Sequence, residues 1–142
     1  MQAEILTETL SITDEEKPLP EGWRLVRLGD VCRVQGGFAF RSEDYLMSGN
    51  PIIRISNLQS GKVVIDGGTV FVKDSIVSNL ENFKLYAGDV LMALSGATTG
   101  KIGTVPADLK DSYLNQRVGR FLPNKEKLDI NFLSHLITDV TQ

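Results

Sequence analysis

One cysteine and one histidine are all that the 142-residue chain contains of either type, and both scarcities exclude chemistry. A lone Cys32 cannot close a disulfide within the chain and fits a reducing cytoplasm; its simplest reading is a small buried hydrophobe. A lone His135 excludes a catalytic triad or a multi-histidine metal site built from this chain. No apolar run approaches the roughly 20 residues of a membrane span. The N-terminus is acidic, without the basic-then-apolar layout of a signal peptide. Internal repeats and low-complexity tracts are missing as well. What remains is an ordinary globular composition, long enough for one domain with a real core and too short for two comfortable ones.

The net charge is −3 and unevenly spread. Residues 1 to 21 carry six acids (Glu4, Glu8, Asp14, Glu15, Glu16, Glu21) against Lys17, a balance of −5. The remaining 14 cations and 12 acids leave the rest of the chain at +2. A slightly basic body permits a nucleic-acid partner without demanding one, because a basic face depends on distribution rather than total.

The chain is organised around Leu85 to Val105. The apolar run Val90-Leu91-Met92-Ala93-Leu94 leads into the small-residue loop Ser95-Gly96-Ala97-Thr98-Thr99-Gly100, and Lys101 opens a second run to Val105. Such runs predict buried strands, and the two glycines suit positive φ or a close approach by another molecule. The loop is no P-loop. Three residues rather than four separate its glycines, Ile102 follows Lys101, and the next element reads as a strand rather than a helix.

Ahead of this unit, residues 1 to 12 fit a short helix with Ile5, Leu6 and Leu10 on one side, and Asp14 to Pro20 a charged linker. Trp23 to Leu28 reads as an edge strand, Gly29-Asp30 as a turn or one-turn helix, and Val31 to Gln35 as a strand stopped by Gly36-Gly37. Phe38 to Asn50 is a loop with three aromatics, of which Phe38 and Phe40 are expected to pin it to the core. Pro51 to Ile55 is extended. Val63 to Ile65 reads as a hairpin arm beside Thr69 to Val72, and Lys73 to Phe83 as a helix capped by Asp74 or Ser75. After a loop from Pro106 to Ser112, Val118 to Leu122 is a strand. Asp129 caps a last helix with Leu133, Leu136, Ile137 and Val140 on one face and His135 at the surface. The count predicts an α+β domain: mostly short mixed or antiparallel strands in a curved sheet or partial barrel, with two or three short helices.

Four ordered blocks carry a resemblance. They are Leu19 to Trp23 with Leu28 to Val31 and Gly36-Gly37; Pro51 to Leu58 (PIIRISNL); Gly88 to Gly103 (GDVLMALSGATTGKIG); and Leu114 to Phe121 (LNQRVGRF). Together they resemble a target recognition domain of the specificity (S) subunit of type I restriction-modification enzymes, over about residues 19 to 137. The resemblance implies sequence-specific binding of double-stranded DNA, one such domain reading half of a bipartite target. It also implies methyltransferase (M) and restriction (R) subunits as partners, a cytoplasmic location, and no catalysis or cofactor in this chain. S-adenosylmethionine, ATP and magnesium would belong to the partner subunits. On this reading residues 1 to 18 are an acidic tail or linker, with a possible spacer-helix remnant, and 19 to 142 form one recognition domain. The chain stops before the family's final strand and helical spacers, which puts docking to M subunits in doubt.

Arginine reads guanine through two hydrogen bonds and Asn or Gln reads adenine, while Lys, Ser, Thr and backbone amides hold phosphates. The candidates of those types in loops are Arg41, Arg54, Asn57, Thr98, Thr99, Lys101, Asn115, Gln116 and Arg117. Thr98, Thr99 and Lys101 fall in a block shared by a family that reads many sequences, so they lean towards scaffold or phosphate. Base reading then falls to loops 38 to 50, 58 to 68 or 106 to 113. One alternative is a magnesium-dependent nuclease using Asp89 with Asp108 and Lys110, a short pattern that Pro106 places in a loop. Another is a truncated fragment that folds without binding. A methyltransferase is disfavoured, because no glycine-rich cofactor loop follows a strand and opens a helix.

Overall fold

The computed structural model describes residues 18–141, with side chains described through Ile137. The helix expected over residues 1 to 12, and the spacer remnant with it, lie outside the described residues. In chain order the elements are α1 (Leu28–Val31), β1 (Cys32–Gly36), β2 (Asn50–Ile53), β3 (Leu58–Gln59), β4 (Gly61–Val63) and β5 (Val70–Val72). There follow α2 (Asp74–Val77), β6 (Lys84–Leu85), β7 (Val90–Ala93), β8 (Ile102–Thr104), β9 (Ser112–Leu114), β10 (Val118–Pro123) and α3 (Ile130–Thr141). Short 3-10 turns occupy Ser42–Asp44, Ile55–Asn57 and Glu81–Phe83.

The strands build two mixed sheets, one of six in the order β1-β10-β7-β8-β4-β3 and one of four in the order β5-β2-β9-β6. Neither is a closed barrel, and the α+β class expected from the sequence holds. In each sheet one parallel pair, β4 with β8 and β2 with β9, sits among antiparallel ones.

Alternation along the strands defines the layers, since successive side chains point to opposite faces. Leu91 and Ala93 of β7 join Ile53, Leu114, Val118, Leu58, Val63 and Leu85 in a core that draws on both sheets. Val90 and, less deeply buried, Met92 face the other way, onto Val31, Cys32, Ile102, Phe121, Leu133 and Ile137, where α3 covers the six-stranded sheet. Ile52 and Tyr113 face a third cluster with Phe40, Val72 and Val77. Strand β7 is thus buried on both faces, which explains why its sequence runs apolar without alternating. Cys32 is a buried free thiol, and burial pushes its pKa up.

Several boundaries depart from the expectations. Trp23 to Leu28 is not an edge strand: no strand pairs with it, Trp23, Leu25 and Val26 are exposed, and Leu28 already opens α1. The expected helix from Lys73 to Phe83 is reduced to α2 and a separate 3-10 turn. Asp74 does not cap it but accepts from Asn50 Nδ2 at 2.8 Å. The chain leaves the helical path at Leu80, with φ −114° and ψ 31° and its amide bonded three residues back to Val77 O at 3.0 Å, and the Asn82 carbonyl beyond it accepts from Gln35 and Arg120 at 2.7 Å each. Thr69 to Val72 is not the partner of the Val63 segment. Strand β4 pairs with β3 and β8, whereas β5 crosses to the other sheet beside β2. Asp129 does cap α3, its Oδ1 accepting from the amides of Asn131 at 2.8 Å and Phe132 at 3.2 Å. Phe38 and Phe40 stack edge-on at 4.9 Å and hold their loop to the third cluster.

Candidate nucleic-acid interface

The loop between β7 and β8 is built by its glycines. Gly96 and Gly100 take φ of 88° and 94°, a region closed to most side chains. Their turn is tied by Gly100 N to Ala93 O at 2.8 Å, Lys101 N to Thr98 O at 3.0 Å and Thr99 Oγ1 to Gly96 O at 2.7 Å. Thr98 and Thr99 stand exposed on it, and Lys101 is half-buried where β8 begins.

Strand register brings further segments to this end of the six-stranded sheet. Leu94 N donates to Arg117 O at 2.9 Å, so the exposed Gln116-Arg117 turn lies beside the loop. Gly36 pairs with Gly119, which places the exit of β1 there too, and Gly61 pairs with Gly103, which adds the β3–β4 turn. Lys101 and Arg117 open β8 and β10, which flank β7, so their backbones sit two strand spacings apart, about 10 Å. The segments that form this end (34–40, 59–62, 93–103 and 114–119) contain no Asp or Glu. At the opposite end the same strands are flanked by Asp30, Asp89, Asp108 and Glu126. Among the described residues the side chains of Lys101 and Arg117 pair with no carboxylate.

The other candidates are placed differently. Asn57 is 1 % exposed. Its Oδ1 accepts from Arg54 N and its Nδ2 donates to Val64 O and Thr69 Oγ1, each at 2.9 Å, leaving no exposed polar atom for a base. Arg54 leans over Tyr45 at 5.5 Å and donates from Nη2 to Gly68 O at 3.1 Å. Arg41, with its side chain 70 % exposed, meets Glu43 at 3.1 Å and Asp44 at 3.3 Å, which neutralise its charge locally. Asn115 is buried at the carboxyl end of β9, its amide bonded to Ile53 O at 3.2 Å and its Oδ1 without a partner. Thr98, Thr99, Lys101, Gln116 and Arg117 therefore come together exposed at one sheet end; Asn115 lies there too but is buried, while Arg41, Arg54 and Asn57 are engaged elsewhere.

One residue of consequence went unnoticed in the sequence. Arg120, 6 % exposed on β10, donates to Gln35 Oε1, Lys84 O, Asn82 O and Asp89 Oδ2, the last at 3.1 Å. It ties β1, β6 and the entry of β7 together, and an arginine inside a strand pattern was its only signal. The nuclease alternative fails on the same contact. The Asp89 carboxylate is held by Arg120 and by the amide of Tyr86 at 2.8 Å. Among the described residues no group of three or more His, Cys, Asp or Glu side chains could hold a metal ion. No described helix is long and apolar enough to cross a membrane.

Residues 20–142 match the family model of the type I restriction modification DNA specificity domain. The chain is 30 % identical over 122 residues to the type I restriction enzyme MjaVIII specificity subunit of Methanocaldococcus jannaschii, covering 84 % of this chain and 28 % of that protein. It is 32 % identical over 128 residues to the type I restriction enzyme EcoAI specificity subunit of Escherichia coli, covering 87 % and 22 %. It superposes on the crystal structure of the HsdS subunit from Thermoanaerobacter tengcongensis with a TM-score of 0.67 at 20 % identity, over 99 % of this chain and 34 % of that one. A structure described for assembly and conformational transition of the type I R-M system gives 0.63 at 20 % identity, over 99 % and 35 %. The chain belongs to the type I restriction-modification DNA specificity domain family, whose role is DNA recognition rather than catalysis. It spans between about a fifth and a third of the length of these relatives.

Proposed function

We propose that this chain reads one half of a bipartite double-stranded DNA target on behalf of a type I restriction-modification complex, and that the acid-free end of the six-stranded sheet faces the duplex. The observation that carries the reading is the convergence there of Lys101 and Arg117, unpaired among the described residues, with Thr98, Thr99 and Gln116 between and beside them. DNA affinity is dominated by phosphate neutralisation, and an array of cations, hydroxyls and turn amides free of carboxylates suits it. Lys101, Arg117 and the threonines hold backbone on this reading, while Gln116, on a tight exposed turn, has the chemistry to reach a base edge.

The partners are the M and R subunits, which bring S-adenosylmethionine, ATP and magnesium to the cytoplasmic complex. A selection from random duplex DNA tests the proposal, run with the chain alone and with a cognate M subunit. A short enriched motif that is lost in Gln116→Ala/Arg117→Ala supports it. No enrichment in either arm, or a motif indifferent to both substitutions, overturns it.

A further inference from the structure

Beside Lys101, the β3–β4 hairpin turns through two residues, Ser60 and Gly61, between the cross-strand pair Gln59 and Lys62. Their φ values are 51° and 80°, the two consecutive left-handed residues of a type I′ turn. Glycine or asparagine sits at the first such position without strain. Serine does not, and Ser60 is the only non-glycine residue with positive φ among the described residues. Unfavourable backbone of this kind persists where the surrounding structure imposes it, often at binding surfaces. Here the parallel pairing of β4 with β8 imposes it: Gly61 lies against Gly103 and Lys62 against Thr104. Gly103 allows the approach, since a Cβ there would come 2.6 Å from Leu58 Cδ2 and 3.2 Å from the carbonyl of Lys62. The hairpin is thus clamped with its turn and the exposed Ser60 hydroxyl at the Lys101 end of β8, while the exposed Lys62 stands opposite Thr104, three residues further along.

We infer that Ser60 and Lys62 form a third contact to the DNA backbone, continuing the cations Arg117 and Lys101 diagonally across the sheet. The inference rests on the proposed DNA-binding reading and adds to it residues and a footprint. Strands β10, β7, β8 and β4 are consecutive, so Arg117 and Lys62 lie three strand spacings apart across the sheet. Arg117 is level with Leu94 and Lys62 with Thr104 and Val90, so they are also about four residues apart along it, a diagonal of about 19 Å. That is roughly six base-pair steps along a duplex strand. Lys62 has no carboxylate partner among the described residues. Asp66, the acid that reaches this hairpin, is occupied by Gln59 Nε2 at 2.7 Å and the amide of Gly68 at 2.9 Å. The chemistry is that of phosphate holding: a mobile point charge and a hydroxyl, with no bidentate group to read a base.

The test titrates the 142-residue chain, Lys62→Ala, Ser60→Gly and Lys101→Ala against a mixed-sequence duplex and a selected one at several salt concentrations. Losing one phosphate contact lowers the slope of log affinity against log salt by about 0.9. The wild-type advantage over Lys62→Ala should therefore shrink about 3.5-fold between 50 and 200 mM salt, equally on both duplexes. Ser60→Gly, which relaxes the turn, should raise thermal stability yet weaken binding. If Lys101→Ala changes the slope and Lys62→Ala does not, the hairpin lies off the DNA and this inference falls alone. If wild type binds neither duplex, the DNA-binding reading falls with it. A loss confined to the selected duplex would make Lys62 a base reader and overturn the phosphate assignment.

Discussion

Replacing Arg120 with alanine tests how the two sheets are held together. Its guanidinium satisfies Gln35 Oε1, the carbonyls of Asn82 and Lys84, and Asp89 Oδ2. The side chain is 8 % exposed and that of Asp89 23 %. Removing it strands a carboxylate that is mostly shielded from water, Gln35 Oε1 and the Lys84 carbonyl, and takes one of two donors from the Asn82 carbonyl. Breaking one half of a buried ion pair costs about 3–5 kcal/mol, and each unsatisfied acceptor about 1–3, though these do not add fully. We expect a loss of about 4 kcal/mol, a large share of the roughly 5–15 kcal/mol that holds a domain folded. In urea, with a slope of about 2 kcal/mol per molar, the midpoint should fall by about 2 M. Arg120→Lys should recover less than half, because one ammonium cannot span acceptors on three segments. A loss below about 1 kcal/mol for Arg120→Ala would refute the clamp.

Gly37→Ala drives a Cβ into the backbone carbonyls of Asn115 and Leu114, so a loss of about 3 kcal/mol or more is expected in the same urea assay. Gly100→Val meets no atom within 4 Å, so its cost of about 2 kcal/mol is conformational, and Gly100→Asn should recover part of it. Hydrogen bonds from Gln59 and from the Gly68 amide hold the Asp66 carboxyl below its usual range. Its contribution is therefore complete above the unfolded pKa of about 3.9 and lost as pH falls through the folded value. Thermal midpoints of wild type and Asp66→Asn should differ at pH 6 and converge below about pH 4, whereas a widening gap would reverse the assignment. Arg41→Ala should change DNA affinity little, because Glu43 and Asp44 already balance its charge.

How much of this was legible beforehand depended on whether the signal was local. Strands β7 and β8 and the turn between them were readable because apolar runs bounded by glycine need no distant partner to be recognised. The cap at Asp129 was local too. Trp23 to Leu28 has strand composition, but composition cannot supply the neighbour a strand must pair with. The long helix after Lys73 fits helical spacing at Ile76, Leu80 and Phe83. The chain breaks from the helix at Leu80 instead, whose amide bonds three residues back, to Val77 O. The site divides along the same line. Lys101, Gln116 and Arg117 flank glycine- or turn-bounded loops and stay accessible. Asn57 looked like a reader by residue type, and only the fold reveals that Val64, Thr69 and Arg54 consume its amide. Lys62 was passed over because its place beside β8, opposite Thr104, arises from a parallel pairing across some forty residues.

The central claim is that one end of the six-stranded sheet faces DNA and the other does not. Its most direct test compares the salt dependence of duplex binding for wild type, Lys101→Ala/Arg117→Ala and Lys125→Ala/Lys127→Ala. Each double variant removes two exposed or half-exposed cations, the first pair at the acid-free end and the second beyond the far end of β10. Equal loss of net charge makes the long-range contribution the same, so a difference reports contact. The account predicts that the first variant lowers the slope by about 1.8 units and the second hardly at all. The reverse order, or an equal drop in both, would contradict it.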